Sequence, residues 1–336
     1  MPGNDIAPSL SFLPKPNDWV DAHGYPEEDE IFWEKIKKFR DAAHHKGEQI
    51  YPWHLSSVEG IFKQSLDHID DMKFDYIEED FGVIGSWEDA IKRVNELNSH
   101  AADNESYKMF LLARHGQGWH NVGFHKHGQE SWVSKWRFLS GDGVITWGPD
   151  ADLTEIGLAQ ARYNNDALKK QIENGAPIPS KMYVSPLKRS CKTLKLTWKG
   201  IETPRPIVKE KLRETIGLNL CHRRSTKSEI AKNFPDFQFE HGFSEHDLLH
   251  ESYKEKERLH EQFLRITEFL QEVFEEEWAG SSIDKKKRFD EQIISVTCHA
   301  GTIRAFLTAT SHRMFTIPTC GIIGVVIKGT RIMNHQ

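Results

Sequence analysis

Two histidines in this chain each follow a short apolar run and precede small residues. Arg114-His115-Gly116 comes after Met109-Phe110-Leu111-Leu112-Ala113, and Cys298-His299-Ala300-Gly301 comes after Ile293-Ile294-Ser295-Val296-Thr297. A third run, Lys181-Met182-Tyr183-Val184, leads into Ser185-Pro186-Leu187-Lys188-Arg189. Imidazole is neutral and nucleophilic near pH 7, and the planar guanidinium fork matches phosphate oxygens two at a time. Gathered in one crevice, His115, His299, Arg114 and Arg189 would hold a phosphoryl group and offer it a nucleophile. Phosphoryl transfer asks mainly for positioning and charge balance, which these residues supply, so neither a metal nor an organic cofactor is expected.

The elements that must position these residues can be read from periodicity. Apolar runs that end abruptly in polar loops are the pattern of buried strands, and open α/β sheets place their ligands at the carboxyl ends of such strands. Thr154 opens a helical stretch that Gly175 and Pro177 close, and Pro186 opens another after the Lys181–Ser185 strand. Strand, helix, strand in this order implies parallel pairing. Leu259, Phe263, Ile266, Leu270 and Val273 recur at three- and four-residue steps, predicting a long amphipathic helix within Tyr253–Trp278. A last strand is expected over Ile322–Ile327. The fold expected is α/β: a three-layer αβα sandwich with a mainly parallel central sheet.

Before residue 100 the pattern is weaker. Pro2, Pro8, Pro14 and Pro16 suggest a flexible arm over the first eighteen residues. Ile31, Phe32, Ile36 and Phe39 suggest a short helix within Glu28–His44. Val58, Ile61, Phe62 and Ile69 read as a helix face, and Asp89–Leu97 as another helix. Residues 1–100 are therefore taken as an N-terminal extension packing on a catalytic domain of residues 101–336.

From about Tyr107 to Lys328 the chain resembles the histidine phosphatase superfamily, in its phosphoglycerate mutase-like branch, and within it fungal phosphomutase-like proteins. The motifs that carry the resemblance are Arg114-His115-Gly116 with Asn121, Leu153-Thr154 with Gly157 and Gln160-Ala161, Ser185-Pro186 with Arg189 and Thr193, Leu212-Arg213-Glu214, and His299. Gln117-Gly118-Trp119-His120-Asn121 and Glu214-x-x-Gly217-x-x-x-Cys221-x-x-Arg224 carry the fungal likeness. The resemblance implies that His115 takes the phosphoryl group as phosphohistidine, with Arg114, Arg189 and His299 around it and Glu214 as general acid. Asn121, Gly116, Gln117, Arg224, Gly301 and Thr302 are implied at the phosphate or substrate, and Trp119 and Trp147 are candidates for its wall. The acid phosphatase branch carries Asp after the second histidine, where this chain has Ala300. Ala300-Gly301 and the long insert from Phe124 to Asp150 also set the chain apart from glycolytic mutases.

The bulk composition narrows the partners. The 336 residues carry 44 Lys+Arg against 50 Asp+Glu, a net charge of -6, so there is no basic excess for a nucleic-acid backbone or an anionic membrane. A small phosphorylated substrate held in a local basic pocket is expected instead. No apolar stretch approaches a membrane span. Cys191, Cys221, Cys298 and Cys320 form no C-x-x-C pair, which fits a reducing, cytoplasmic location, and Lys285-Lys286-Lys287-Arg288 would be compatible with nuclear entry. No pattern specifies an oligomeric state. His246-Asp247-Leu248-Leu249-His250 has the spacing of a zinc motif but lacks its Glu and a third ligand. The functions weighed are a metal-independent phosphomonoester hydrolase, a phosphomutase of the same fold, and a catalytically silent phospholigand-binding protein.

Overall fold

The computed structural model describes residues 12–24, 31–38, 51–280 and 292–332. Seven strands form one sheet in the order β1-β7-β2-β6-β3-β4-β5, where β1 is Trp53–Val58, β2 Glu105–Arg114, β3 Lys181–Val184, β4 Ile207–Val208, β5 Gln238–Phe239, β6 Ile293–Cys298 and β7 Ile322–Arg331. The strands β2, β6, β3, β4 and β5 are mutually parallel, whereas β7 runs antiparallel to both of its neighbours.

Alternation along β2 shows how helices cover both faces. Phe110 meets Phe306 of the helix Ala300–Ala309 edge to face, and Tyr183 of β3 meets Phe269 of the helix Leu259–Gly280 in the same way. Leu111 and Ala113 turn to the opposite face, where they line a small cavity with Trp87, Leu168 and Trp198. Those three residues belong to, or directly follow, the helices Trp87–Ser99, Glu155–Glu173 and Lys188–Thr197. The central strands are thus apolar on both sides, as their continuous runs require, and the architecture is the expected α/β sandwich. Thr154 caps its helix by accepting from the Gly157 N–H at 3.0 Å.

Several boundaries differ from the sequence reading. β2 and β7 run beyond their apolar runs because their polar ends still pair with each other, Glu105 opposite Thr330 and Tyr107 opposite Lys328. The long helix starts at Leu259, not Tyr253. Residues 31–38 are helical, with Phe32 and Ile36 packed against Phe263, while Phe39 and Lys285-Lys286-Lys287-Arg288 lie outside the described residues.

The largest correction concerns the region before residue 100. Trp53–Val58 is a strand, not a helix face, and completes the sheet edge beside β7. Ile61 and Phe62 follow it into a turn in which Phe62 bridges Val83. Pro16–His23, expected within or next to a flexible arm, forms a helix that buries Asp18 and Ala22.

Phe62 is buried directly on Gly324 of β7, where even a methyl group would approach its ring to 2.2 Å. Phe62→Ala should therefore remove about 3–5 kcal/mol of stability, measured by urea unfolding. A loss below about 1 kcal/mol would show that this region merely rests on the domain.

Candidate active site

Three adjacent parallel strands bring the chemistry together. Arg114 of β2 is in register with Cys298 of β6, and the His115 N–H donates to the Cys298 carbonyl at 3.0 Å. On the other side of β6, the Ser185 N–H donates to the Thr297 carbonyl at 3.0 Å, fixing where the Lys188–Thr197 helix begins. The His115 and His299 rings consequently lie 5.0 Å apart between centroids, and Arg189 enters from the first turn of that helix.

Hydrogen bonds define how each group is presented. His115 Nδ1 lies 2.7 Å from the Gly116 carbonyl, which can only accept, so the proton sits on Nδ1 and the lone pair on Nε2. His299 shares Nε2 with the Ser185 hydroxyl at 2.7 Å, leaving its buried Nδ1 without a partner among the described residues. Arg189 spends Nη1 on the Cys221 carbonyl, while its buried Nε and Nη2 have no partner there. Those two nitrogens form the edge of a guanidinium with which an arginine can hold an oxyanion bidentately. The Arg114 Nε is buried and unpaired in the same way. Unpaired buried donors are costly, so their convergence marks a site built for an anion.

Arg114 is not free in the way the sequence suggested. Its Nη1 donates to Asp18 at 2.6 Å and to the Ile317 carbonyl at 2.8 Å, and its Nη2 donates to Asp21 at 2.9 Å. Two carboxylates from the N-terminal helix therefore hold it in place.

Glu214 follows the turn after β4 and reaches the N-terminus of the Ala300–Ala309 helix. A methyl group on Gly301 would stand 2.5 Å from Glu214 Oε1, so the glycine makes room for the carboxyl. The Thr302 hydroxyl donates to the Arg213 carbonyl at 2.8 Å and pins the same turn. Gly301 and Thr302, expected at the phosphate, thus seat the Glu214 carboxyl and its turn. Burial works to raise the Glu214 pKa, but His222, the Thr215 N–H, Arg189 and Arg304 outweigh it and hold it below the ordinary carboxyl value.

Other expected ligands have structural roles. Gly116 allows its chain to approach Gly157, whose carbonyl would lie 2.7 Å from an added methyl group. Gln117 accepts from the Thr154 hydroxyl at 2.8 Å, and Asn121 Oδ1 accepts from the Gly118 N–H at 2.9 Å. Arg224 requires correction as a substrate ligand. Its donors are spent on Glu210 and on the carbonyls of Ser225, Ser244, Glu245 and His246, which makes it the organiser of a loop. Asp247 of the zinc-like motif grips Arg213 through both carboxylate oxygens, at 2.6 and 2.7 Å. Trp147 is fully buried in a satellite core with Trp132, Ala151 and Cys221, so it does not wall a pocket, while Trp119 packs at that core's edge.

Two histidines that the sequence reading did not single out complete the cluster. His120 lies 5.2 Å from His115 between ring centroids and 6.5 Å from His222. His222 donates from Nδ1 to the Thr215 carbonyl at 2.7 Å. His120 belongs to the motif Gln117-Gly118-Trp119-His120-Asn121 and lies in the first turn of the helix Trp119–His127, while His222 falls at an unspecified position of the second motif, so neither reveals its direction before the chain folds.

His115, His120, His222 and His299 are all pushed below the ordinary imidazole value, first by burial and then by the Arg189 charge. The folded chain keeps them neutral at pH values where the unfolded chain protonates them. The unfolded state thus binds more protons below about pH 6.5, and stability present above that pH declines as pH falls, by up to about 1.4 kcal/mol per pH unit for each imidazole. Urea midpoints should fall steeply from pH 6.5 to 5, and inorganic phosphate should offset part of the fall by pairing with the charged forms. A flat profile would mean the imidazoles are not withheld from protons.

A probable phosphoglycerate mutase of Arthroderma benhamiae is 35% identical over 294 residues, covering 81% of this chain and 84% of that protein. Phosphomutase-like protein 3 of Candida albicans is 35% identical over 242 residues, covering 72% and 69% respectively. Among solved structures, a phosphoglycerate mutase from Bacillus anthracis is 16% identical with a TM-score of 0.40, covering 66% of this chain and 89% of that one. The sequence model of the Histidine phosphatase superfamily (branch 1) matches residues 110–330, and the chain belongs to that superfamily.

Proposed function

We propose that this protein is a metal-independent phosphomonoester hydrolase that passes the phosphoryl group of a small metabolite through His115. The observation that carries the reading is the His115 Nε2 lone pair, set beside His299 and the unpaired donors of Arg189 and Arg114. Nε2 attacks phosphorus, the ester P–O bond breaks with its electron pair on the leaving oxygen, and Glu214 gives that oxygen a proton. Water then attacks the phosphohistidine while Glu214 takes its proton. The P–N bond breaks, its pair returns to Nε2, and inorganic phosphate leaves. Arg189, Arg114 and His299 balance the charge on the non-bridging oxygens throughout.

The names of the fungal relatives favour a second reading, a phosphomutase, in which an acceptor hydroxyl replaces water in the second step. The two readings share the phosphoenzyme and differ in the acceptor.

His115→Ala should abolish phosphate release in the presence of EDTA, and rapid quenching of the native protein should trap an acid-labile, base-stable phosphoryl group on His115. Label on Ser or Asp, or restoration of EDTA-lost activity by Zn²⁺ or Mg²⁺, would refute the mechanism. Because burial and then Arg189 and Arg114 lower the His115 pKa, the nucleophile stays unprotonated below pH 6.5. The acid limb of kcat/KM should therefore lie below the ordinary imidazole range.

Glu214 must carry a proton when substrate is bound, although the empty pocket holds its pKa low. The arriving phosphate dianion reverses that balance by setting negative charge beside the carboxyl. Glu214→Gln should slow phosphorylation of His115 by alkyl phosphates about 10²- to 10⁴-fold, and phosphorylation by aryl phosphates with acidic phenols much less. Gly301→Ala, which intrudes on the same carboxyl, should reproduce this pattern in weaker form. Presteady-state phosphorylation with matched alkyl and aryl esters provides the check, and equal losses would reduce Glu214 to a pocket-shaping role.

A further inference from the structure

The N-terminal helix Pro16–His23 packs on the Ala300–Ala309 helix and places two carboxylates on Arg114, but the two are not equivalent. The Asp18 side chain is only 12% exposed and also accepts from its own helix's Lys15 N–H at 2.7 Å. It is a buried anchor that orients Arg114. Asp21 is 51% exposed, and its contact with Arg114 is a single hydrogen bond at 2.9 Å from Nη2 to Oδ2. The opposite carboxylate oxygen takes no hydrogen bond among the described residues. Asp21 therefore forms part of the rim rather than the floor.

On the hydrolase reading, that rim adjoins Glu214, toward which the leaving alcohol would lie. Desolvation, with the Glu214 and Asp18 charges, outweighs Arg114 and Arg304 and pushes the Asp21 pKa up to about 6, so Asp21 is ionised above that pH, and Glu214 is the group that would protonate the departing oxygen. Arg304 is the cation of the same rim. Its Nη1 donates to the Asp21 carbonyl at 3.0 Å and its Nη2 lies 3.5 Å from Gln262 Oε1, whose Nε2 lies 3.3 Å from Glu214 Oε1. With a phosphate dianion on Arg114 and Arg189, the leaving group would face Asp21, whose backbone carbonyl accepts from Arg304.

We propose that Asp21 is a specificity-determining residue that selects phosphomonoesters whose alcohol part is neutral or cationic and disfavours those carrying a carboxylate or second phosphate beside the ester. This rests on the hydrolase reading for the position of the leaving group. A fixed carboxylate near a second anion is repulsive, and its partial exposure limits the effect to roughly tenfold at moderate salt. The selection would separate this site from one that must receive a phosphorylated hydroxy acid.

The matched pair for a test is glycerol 3-phosphate and 3-phosphoglycerate, which differ chiefly in a hydroxymethyl group against a carboxylate. The native protein should show the higher kcat/KM for glycerol 3-phosphate. Asp21→Asn, which keeps an oxygen for Arg114 and removes the negative charge, should shift the ratio about tenfold toward 3-phosphoglycerate. The shift should shrink at high salt. Asp18→Asn should weaken both esters alike, because it acts through Arg114 on the shared phosphate. Binding of the same pair to His115→Ala, measured by calorimetry, should show the same ratio without turnover. An unchanged ratio in Asp21→Asn, with His115 still labelled, overturns the role of Asp21 and leaves the hydrolase reading intact. Ester binding with the expected ratio but no label on His115 overturns the hydrolase reading instead. Failure of both esters to bind, to the native protein and to His115→Ala alike, overturns both.

Discussion

Desolvation of positive charge at one sheet edge is the constraint on which the rest of the site depends. Arg114 and Arg189 are buried there beside four imidazoles. Removing a guanidinium from water is expensive unless it is paired, and the chain treats the two arginines differently. Arg114 receives Asp18 and Asp21, whereas Arg189 keeps two buried nitrogens unpaired. The same low-dielectric setting makes protonation of the imidazoles unfavourable, so the nucleophilic form of His115 follows directly from burial. An oxyanion would answer both conditions at once by satisfying Arg189 and balancing its charge.

Such a site needs rigid support, because a strained arrangement of unpaired donors would otherwise relax. The floor is the ladder between β2, β6 and β3. The wall is a network of ion pairs. Arg213 is fully buried between Glu210 and Asp247, Asp247 also accepts from the Arg224 N–H, and Arg224 returns to Glu210. This closed circuit fixes the chain on both sides of Glu214, while Thr302 and Gly301 fix its distance from the helix. The arginine expected at the substrate therefore contributes one layer further out: it holds the segment that holds the acid. Buried ion pairs add little net stability, so their use here is better understood as specification of geometry.

What could be read in the sequence follows from how locally each feature is encoded. His115, His299 and Arg189 come directly after apolar runs, and a parallel sheet must align such strand ends, so the pattern alone brings them together. His120 sits in the first turn of the helix Trp119–His127 and His222 in the short turn Leu220–His222, whose directions depend on Gly118, Thr215 and Asn219, and no periodicity reports them. Asp18 and Asp21 were hidden for a different reason. The four prolines near the N-terminus read as disorder, yet Pro16 occupies a first helical turn, where its missing N–H is harmless. The strand Trp53–Val58 was lost because Val58, Ile61 and Phe62 imitate a helical step, while the alternation that marks the strand is carried by Trp53 and Leu55 alone. Trp147 was misread because a tryptophan between motifs looks available until a second small core closes over it.

The N-terminal helix consequently adjoins the candidate site through Arg114 even though it lies outside the stretch matched by the superfamily. A catalytic arginine with no resident counterion would offer full charge to any anion that entered. With Asp18 and Asp21 already on Arg114, an entering phosphate must compete with carboxylates, and its gain comes mainly from Arg189, His299 and the unpaired Arg114 Nε. Affinity for phosphate is thereby moderated. That moderation matters for turnover on the hydrolase reading, in which inorganic phosphate is the final product and must leave the same donors that stabilised the phosphoryl group. Binding that is strongest in the transition state and weaker for substrate and product is what accelerates a reaction. The helix Pro16–His23 supplies a means to that end: fixed negative charge that orients the arginine for chemistry and lowers its hold on what remains afterwards.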